Sequence, residues 1–277
     1  MPVRETSHFV HKYLRSSKRF PHIWCAGCGI GIFMQALVRV IDRLGYSKDE
    51  VVFVSGIGCS SRLPVYVDFN TLHATHGRAL TFATGVKLAN PKLKVITIMG
   101  DGDAVSIGGN HLIHAARRNV EIASFIVNNQ VYGMTGGQSS PTTTYGTKTT
   151  SAPYGNLEAA FDISGLVEAA GAAFVGRTTV YHTPLMDRLI EKALTKKGFS
   201  MIEVLAQCVT YSGRWLGLNS PVDMMAWQRD NSVTVEKAKE LTPDELAGKI
   251  VIGVLVDRER PAYDDEYAKL TAEKLKV

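Results

Sequence analysis

The sequence predicts an α/β fold, a mostly parallel sheet with helices on both faces, and two patterns carry that prediction. Short apolar runs at Val51–Ser55, Val95–Met99, Ile122–Val127 and Met201–Leu205 each stop at small or polar residues, with helix-length segments between most of them. Within Lys94–Thr135 the order is strand, acidic glycine turn (Gly100-Asp101-Gly102-Asp103), helix, strand and amide pair (Asn128-Asn129). That order is a βαβ unit with polar residues at both strand ends.

Taken in order, residues 1–20 read as a polar arm, and helical periodicity runs from after Cys28 to about Leu44, with Gly45 as the stop. Val51–Ser55 is a buried-type strand ending in Gly56-Ile57-Gly58-Cys59-Ser60-Ser61. His76 to Ala89 reads as a helix closed by Asn90-Pro91. Gln138 to Gly155 is rich in Ser, Thr, Gly and Pro and has no period, which marks either a functional or linking loop or a solvated one. Asn156 to Ala170 is helical up to Gly171, and Thr183-Pro184 opens a further helix that Gly198 ends. The stretch from Val222 onward is more charged and reads as peripheral helices and arms. No internal repeat and no domain boundary stand out.

At 277 residues and 45% apolar composition the chain suits one large α/β domain or two small ones. No apolar run reaches the ~18 residues that span a bilayer. The first 20 residues have no apolar core of the secretory type, so a cytoplasmic protein is expected. The net charge of +5 is not clustered, which argues little for nucleic acid and fits an acidic protein partner equally well.

In open α/β sheets ligands bind beyond the carboxyl ends of the strands. There, Asp101 and the Asn128-Asn129 pair supply a carboxylate and an amide oxygen, hard ligands suited to a magnesium ion that also grips a diphosphate. Gly102 would let the backbone approach phosphates, and the helix N-terminus behind it offers amide donors. His76, at a predicted helix start, could donate to an anionic phosphate or simply serve that terminus. The four cysteines, Cys25, Cys28, Cys59 and Cys208, combine one Cys-x-x-Cys pair with two singletons, and all sit at loops around one sheet edge. In a cytoplasmic protein they point to metal or redox chemistry, either a [4Fe–4S] cluster or a zinc ion.

The Gly100-Asp101-Gly102 turn followed about 25 residues later by the amide pair resembles the thiamine diphosphate fingerprint. With WCAGCG, GIGCSSRLP, ATHGRALTFATGVKLANP, GDGDAVSIGGNH, NNQVYGMTGGQSSPTT and Cys208, the chain resembles the β subunit of 2-oxoacid:ferredoxin oxidoreductases up to about residue 210. Within that family the GMTGGQ form is most like the 2-oxoglutarate:ferredoxin oxidoreductases. The resemblance implies a thiamine-diphosphate-binding module, taken as 1–220 with the N-terminal arm 1–20, and the charged, less periodic 221–277 reads as peripheral helices and tail. It implies magnesium held by Asp101, Asn129 and the Val131 carbonyl. Ile57, Gly58, Cys59, Ser60, His76, Gly102, Asp103, Gly133 and Met134 would contact thiamine diphosphate, and Cys25, Cys28, Cys59 and Cys208 would hold one [4Fe–4S] cluster.

The reaction implied is coenzyme A-dependent oxidative decarboxylation of a 2-oxoacid to an acyl-CoA, or its reverse, with electrons passing through the cluster to ferredoxin. The glutamate that activates thiamine would come from a partner α subunit in a heterodimer or dimer of heterodimers. Arg62, three residues after Cys59, could pair with a distal substrate carboxylate or in a surface or interface ion pair, and Met134, Gly136 and Gly137 form a small lip. These features favour 2-oxoglutarate, with pyruvate or branched-chain and broad 2-oxoacid use as the alternative. A zinc-stabilised four-cysteine binding protein is the reading from another class.

Overall fold

Val51–Ser55 forms β1 with all of its residues buried, as a strand covered on both faces requires. The computed structural model describes residues 9–17, 21–218 and 220–275. Along the chain follow β2 (Asn70–His73), β3 (Lys94–Gly100), β4 (Ala123–Asn128), the two-residue strands β5 (Val131–Tyr132) and β6 (Gln138–Ser139), and β7 (Phe174–Thr179). The last three are β8 (Ser200–Leu205), β9 (Ser232–Thr234) and β10 (Ile250–Asp257). Eight strands make one sheet in the order β2-β1-β3-β4-β8-β7-β10-β9. Its pairings are parallel except β10 on β7, which is antiparallel and carries a bulge between Val254 and Val256.

The main covering helices are α1 (Ile30–Leu44), α3 (Ala79–Ala89), α4 (Gly109–Arg118), α5 (Ile163–Ala169) and α6 (Thr183–Thr195), with the single turn α2 (Leu63–Tyr66) between β1 and β2. Alternate strand residues divide between two cores. Phe53, Ile98, Phe125 and Val204 face α1 and α6, whereas Val54, Met99, Ile126 and Met201 face α3, α4 and α5. Burying each such side chain contributes about 1.5–3 kcal/mol. The helix α1 buries Phe33, Leu37 and Ile41 at helical spacing and ends at Gly45, whose φ of 70° suits a left-handed cap.

The predicted parallel sheet is present, with four differences in detail. The helix expected from His76 begins at Ala79, because Gly77 turns the chain at φ +71° just before it. The helix expected from Asn156 begins at Ile163: the Asn156 amide donates instead to the carbonyls of Thr143 and Glu158, a local alternative to the helical ladder. Strands β2, β5, β6, β7, β9 and β10 are additional to those expected, and β9 and β10 join residues beyond 221 to the main sheet where only helices and arms are expected. The predicted arm lies outside the described residues except for 9–17 within its span, where Phe9–Tyr13 forms a short 3-10 helix. No helix among the described residues is long and apolar enough to cross a membrane.

Candidate functional site

Because β1, β3, β4 and β8 run parallel, their carboxyl ends at Ser55, Gly100, Asn128 and Leu205 open on one edge of the sheet. Two adjoining cavities lie there. The first, of about 170 Å³, is lined by Asp101, Gly102 and Asp103 after β3, by Asn129 and Val131 after β4, and by Ile57 to Ser60 after β1. His76, Gly133 and Met134 complete the predicted set on its wall. Each predicted magnesium ligand and each predicted thiamine contact therefore lines one space.

Asp101 is 2% exposed, and burial pushes its carboxyl pKa up. Opposing that shift, Oδ2 accepts hydrogen bonds from the hydroxyls of Ser140 at 2.5 Å and Thr142 at 2.6 Å. Both donors come from the hydroxyl-rich loop after β6, which the antiparallel β5–β6 pair folds back over the strand ends. The carboxylate remains short of a compensating cation, so a divalent ion would suit it.

Asp103 begins a π-helical turn, Asp103–Ile107, that leads into α4, so the predicted helix is wound wider where it meets the cavity. Its Oδ1 accepts from the Gly77 N–H at 2.6 Å and lies 2.8 Å from His76 Nδ1, while Oδ2 is buried without a partner. Burial raises this carboxyl as well. A Cβ on Gly56 would stand 1.9 Å from that orphan oxygen, and a Cβ on Gly102 would stand 2.1 Å from the Tyr132 ring. Both glycines are thus required for close approach.

The second cavity, of about 270 Å³, is lined by Cys25, Cys28, Cys59 and Cys208. The thiols surround it rather than meeting at a point, and among the described residues no three His, Cys, Asp or Glu side chains converge on one ion. Its walls are fixed. The Trp24 indole donates to the Cys59 carbonyl at 2.7 Å, Gln207 donates to the Gly27 carbonyl at 2.9 Å, and Gly27 sits at φ +82° against Pro221. Burial pushes the Cys28 thiol up to about 12, with the neighbouring thiols adding to the shift. Cys59 is raised by burial too, although Arg62 pulls it down. A strongly positive metal group beside Cys28 and Cys59 would favour the thiolate form that burial disfavours. Cys59, Asn129, Gly133 and Met134 line both cavities and form their common wall.

Three predicted residues stand apart. Arg62 is half-buried on the turn after Cys59 and lines neither cavity, though its charge reaches Cys59 and His73. Gly136 and Gly137, at φ +119° and +91°, also lie off both walls. Conversely, sequence reasoning did not single out Ser140, Thr142, Tyr132 or Trp24. The only signal for the first two was the hydroxyl-rich composition of their loop.

The thiamine pyrophosphate enzyme C-terminal TPP-binding domain matches residues 56–204. The chain is 48% identical over 274 residues to the 2-oxoglutarate synthase subunit KorB of Methanothermobacter marburgensis, covering 99% of this chain and 95% of that protein. It is likewise 48% identical over 269 residues to the subunit of the same name from Methanocaldococcus jannaschii, covering 97% and 99%. A solved structure of 2-oxoglutarate:ferredoxin oxidoreductase from Magnetococcus marinus, with 2-oxoglutarate, coenzyme A and succinyl-CoA bound, superposes with a TM-score of 0.86. It shares 31% identity and is matched over 98% of this chain and 91% of that one.

Proposed function

Because the chain belongs to the 2-oxoacid:ferredoxin oxidoreductases, as a subunit of the β type, we propose that it carries the thiamine diphosphate and the electron-accepting cluster of a coenzyme A-dependent 2-oxoglutarate oxidoreductase. The observation that carries this reading is the shared wall: an oxygen-lined cavity and a four-thiol cavity meet at Cys59, Asn129, Gly133 and Met134. Two cofactors seated there would be close enough for direct electron passage.

Asp101, Asn129 and the Val131 carbonyl would hold magnesium, and the buried, cation-short Asp101 fits that role. Ile57 to Ser60, His76, Gly102, Asp103, Gly133 and Met134 would seat thiamine diphosphate. Cys25, Cys28, Cys59 and Cys208 would hold one [4Fe–4S] cluster, which the cavity suits better than a single zinc ion. When bound, thiamine diphosphate supplies the carbanion and electron sink that a 2-oxoacid needs to lose carbon dioxide. The chain's own part is to orient, through Asp101 and its two hydroxyl donors, the metal end of the site and to keep the thiol pocket apolar.

No glutamate among the described residues lines the first cavity. The activating glutamate is proposed to come from a partner α subunit. The loop whose Ser140 and Thr142 bind Asp101 also displays Tyr145, Tyr154 and Leu157, exposed by 72%, 98% and 82%. Apolar side chains so placed suit a protein partner beside the site. Ferredoxin and coenzyme A complete the proposed reaction.

Arg62, Met134 and Gly136 are proposed to favour 2-oxoglutarate. A broader 2-oxoacid range is the second reading, and the position of Arg62 off the cavity wall favours it. Anaerobic co-expression with the α subunit, followed by assay of coenzyme A-dependent ferredoxin reduction with 2-oxoglutarate, pyruvate and 2-oxoisovalerate, tests both. Strong preference for 2-oxoglutarate supports the first reading, comparable rates support the second, and no reduction despite bound cofactors defeats both.

A further inference from the structure

Glu203 lies in the middle of β8, 4% exposed, in a strand otherwise filled by apolar side chains and Ser200. Its register partners are Arg177 on β7 and Ile126 on β4, so Arg177, Glu203, Ile126 and Asn128 share one face of the sheet. The carboxylate is fully engaged on that face. Oε2 accepts from Arg177 Nε at 2.8 Å and from the Ser164 hydroxyl at 2.7 Å, while Oε1 accepts from Asn128 Nδ2 at 2.8 Å. Nothing in the proposed chemistry uses a carboxylate at this depth, yet the bond to Asn128 leads straight back to the metal end of the site.

An amide facing a carboxylate must present its nitrogen, so Glu203 forces the Asn128 oxygen the other way. That oxygen accepts the Gln130 N–H at 3.1 Å and lies 3.0 Å from the Thr142 hydroxyl, whose single proton also serves Asp101 Oδ2 at 2.6 Å. Gln130 has φ +60°, one of two non-glycine residues in the left-handed region among those described. It sits between Asn129 and Val131, the two proposed ligands from this segment. Its carbonyl is held from the other side by the Thr143 hydroxyl at 2.7 Å. The left-handed turn that points Asn129 and Val131 toward one cavity is therefore pinned by an amide whose orientation Glu203 sets.

We propose that Glu203, through Asn128, is the positioning residue for the magnesium end of the thiamine diphosphate site. The inference rests on the reading of Asp101, Asn129 and Val131 as magnesium ligands. Glu203→Gln is nearly isosteric, but Arg177 and Ser164 both donate to the side chain at this position, so its oxygen stays with them and its nitrogen meets the Asn128 amide. One donor-against-donor contact is then unavoidable, either with Asn128 or, if that amide flips, at the Gln130 N–H. The double variant N128D/E203Q removes the mismatch. The new carboxylate accepts from both the introduced carboxamide and the Gln130 N–H, and the pair keeps its net charge.

The test is titration of magnesium with thiamine diphosphate into the full chain co-purified with its partner subunit, followed by intrinsic fluorescence, with iron content and unfolding midpoint measured alongside. E203Q is expected to weaken magnesium binding by about 10- to 100-fold, the usual effect of removing an outer-sphere partner of a metal site, with iron content unchanged. N128D/E203Q is expected to recover affinity to within about threefold of the parent. Unchanged affinity in E203Q, or a double variant no better than the single, would overturn the proposal. Should E203Q not fold, Ser164→Ala removes one donor to the same carboxylate, and the folded variant must then show a loss of about threefold for the proposal to stand. A parent protein that binds thiamine diphosphate equally well without magnesium would remove the metal-site reading itself, and this inference with it.

Discussion

The oxygen-lined cavity takes much of its wall from two stretches one βαβ unit apart, Gly100–Asp103 and Val127–Thr135, whereas the thiol cavity gathers Cys25, Cys28, Cys59 and Cys208 from three distant segments. The first is a hard site, a buried carboxylate supported by hydroxyls and amides. The second is a soft one, four sulfurs among apolar walls with Trp24 beside them. The difference lies in what holds each together. Hydrogen bonds of 2.5–2.6 Å from Ser140 and Thr142 fix Asp101 before any ion arrives, while no bond joins the thiols to one another and all four are free. In one region the buried carboxylate is itself held by polar side chains, whereas in the other the walls are tied by Trp24 and Gln207 and the thiols stand unjoined within them.

The most severe way to break this comparison is to delete one ligand from each side. Asp101→Ala should reduce magnesium-dependent thiamine diphosphate binding more than about 100-fold and leave iron content intact, because the two sites share a wall but no metal ligand. Cys208→Ala should do the reverse, losing iron while thiamine diphosphate still binds. Iron analysis and cofactor titration on the two proteins, checked by circular dichroism for folding, decide the matter. Loss of both properties in either folded variant would show that the cavities are one cooperative site.

A smaller effect sharpens the oxygen side. Gly102→Ala places a methyl group 2.1 Å from the Tyr132 ring, which must move. Overpacking of this kind costs about 1–3 kcal/mol. A lowered unfolding midpoint together with weakened thiamine diphosphate binding is expected. Unaltered binding would show that Tyr132 can shift without disturbing the wall.

The thiol side has a pH signature of its own. Cys28 is held at about 12 in the fold against an ordinary value of 9.0, because burial disfavours the thiolate. The folded chain therefore keeps this proton more tightly than the unfolded one, so the associated stability is complete below pH 9 and is lost as pH rises toward 12. Thermal unfolding of iron-free protein between about pH 8 and 11 should show a falling midpoint. Cys28→Ala should flatten that slope, and an equal slope in the variant would assign it to other groups.

How much of this was legible in the sequence follows the same division. Asp101, Asn129 and the glycines between them are readable because strand, turn and amide pair are local, each signalled within a few residues. The thiols are readable as a set by count and spacing: parallel β1 and β8 bring Cys59 and Cys208 to one edge, and the segment that opens α1 brings Cys25 and Cys28 to the same cavity. The supporting network was not readable. Ser140 and Thr142 reach Asp101 only because a two-strand hairpin folds the loop back, and Glu203 is hidden inside an apolar strand whose burial says nothing of its partner. Strand β7 is hard to read because Gly176 and Arg177 interrupt its apolar run, and β10 because it is set among charged segments and interrupted by Gly253. Long-range packing decided each of these.

Crystallography of the anaerobically loaded complex with thiamine diphosphate and magnesium, using anomalous scattering at the iron edge, would locate both groups at once. The account predicts an iron cluster among Cys25, Cys28, Cys59 and Cys208 and diphosphate density beside Asp101, the two separated by Gly133 and Met134. Iron bound away from those cysteines, or diphosphate seated away from Asp101 and Asn129, would contradict it.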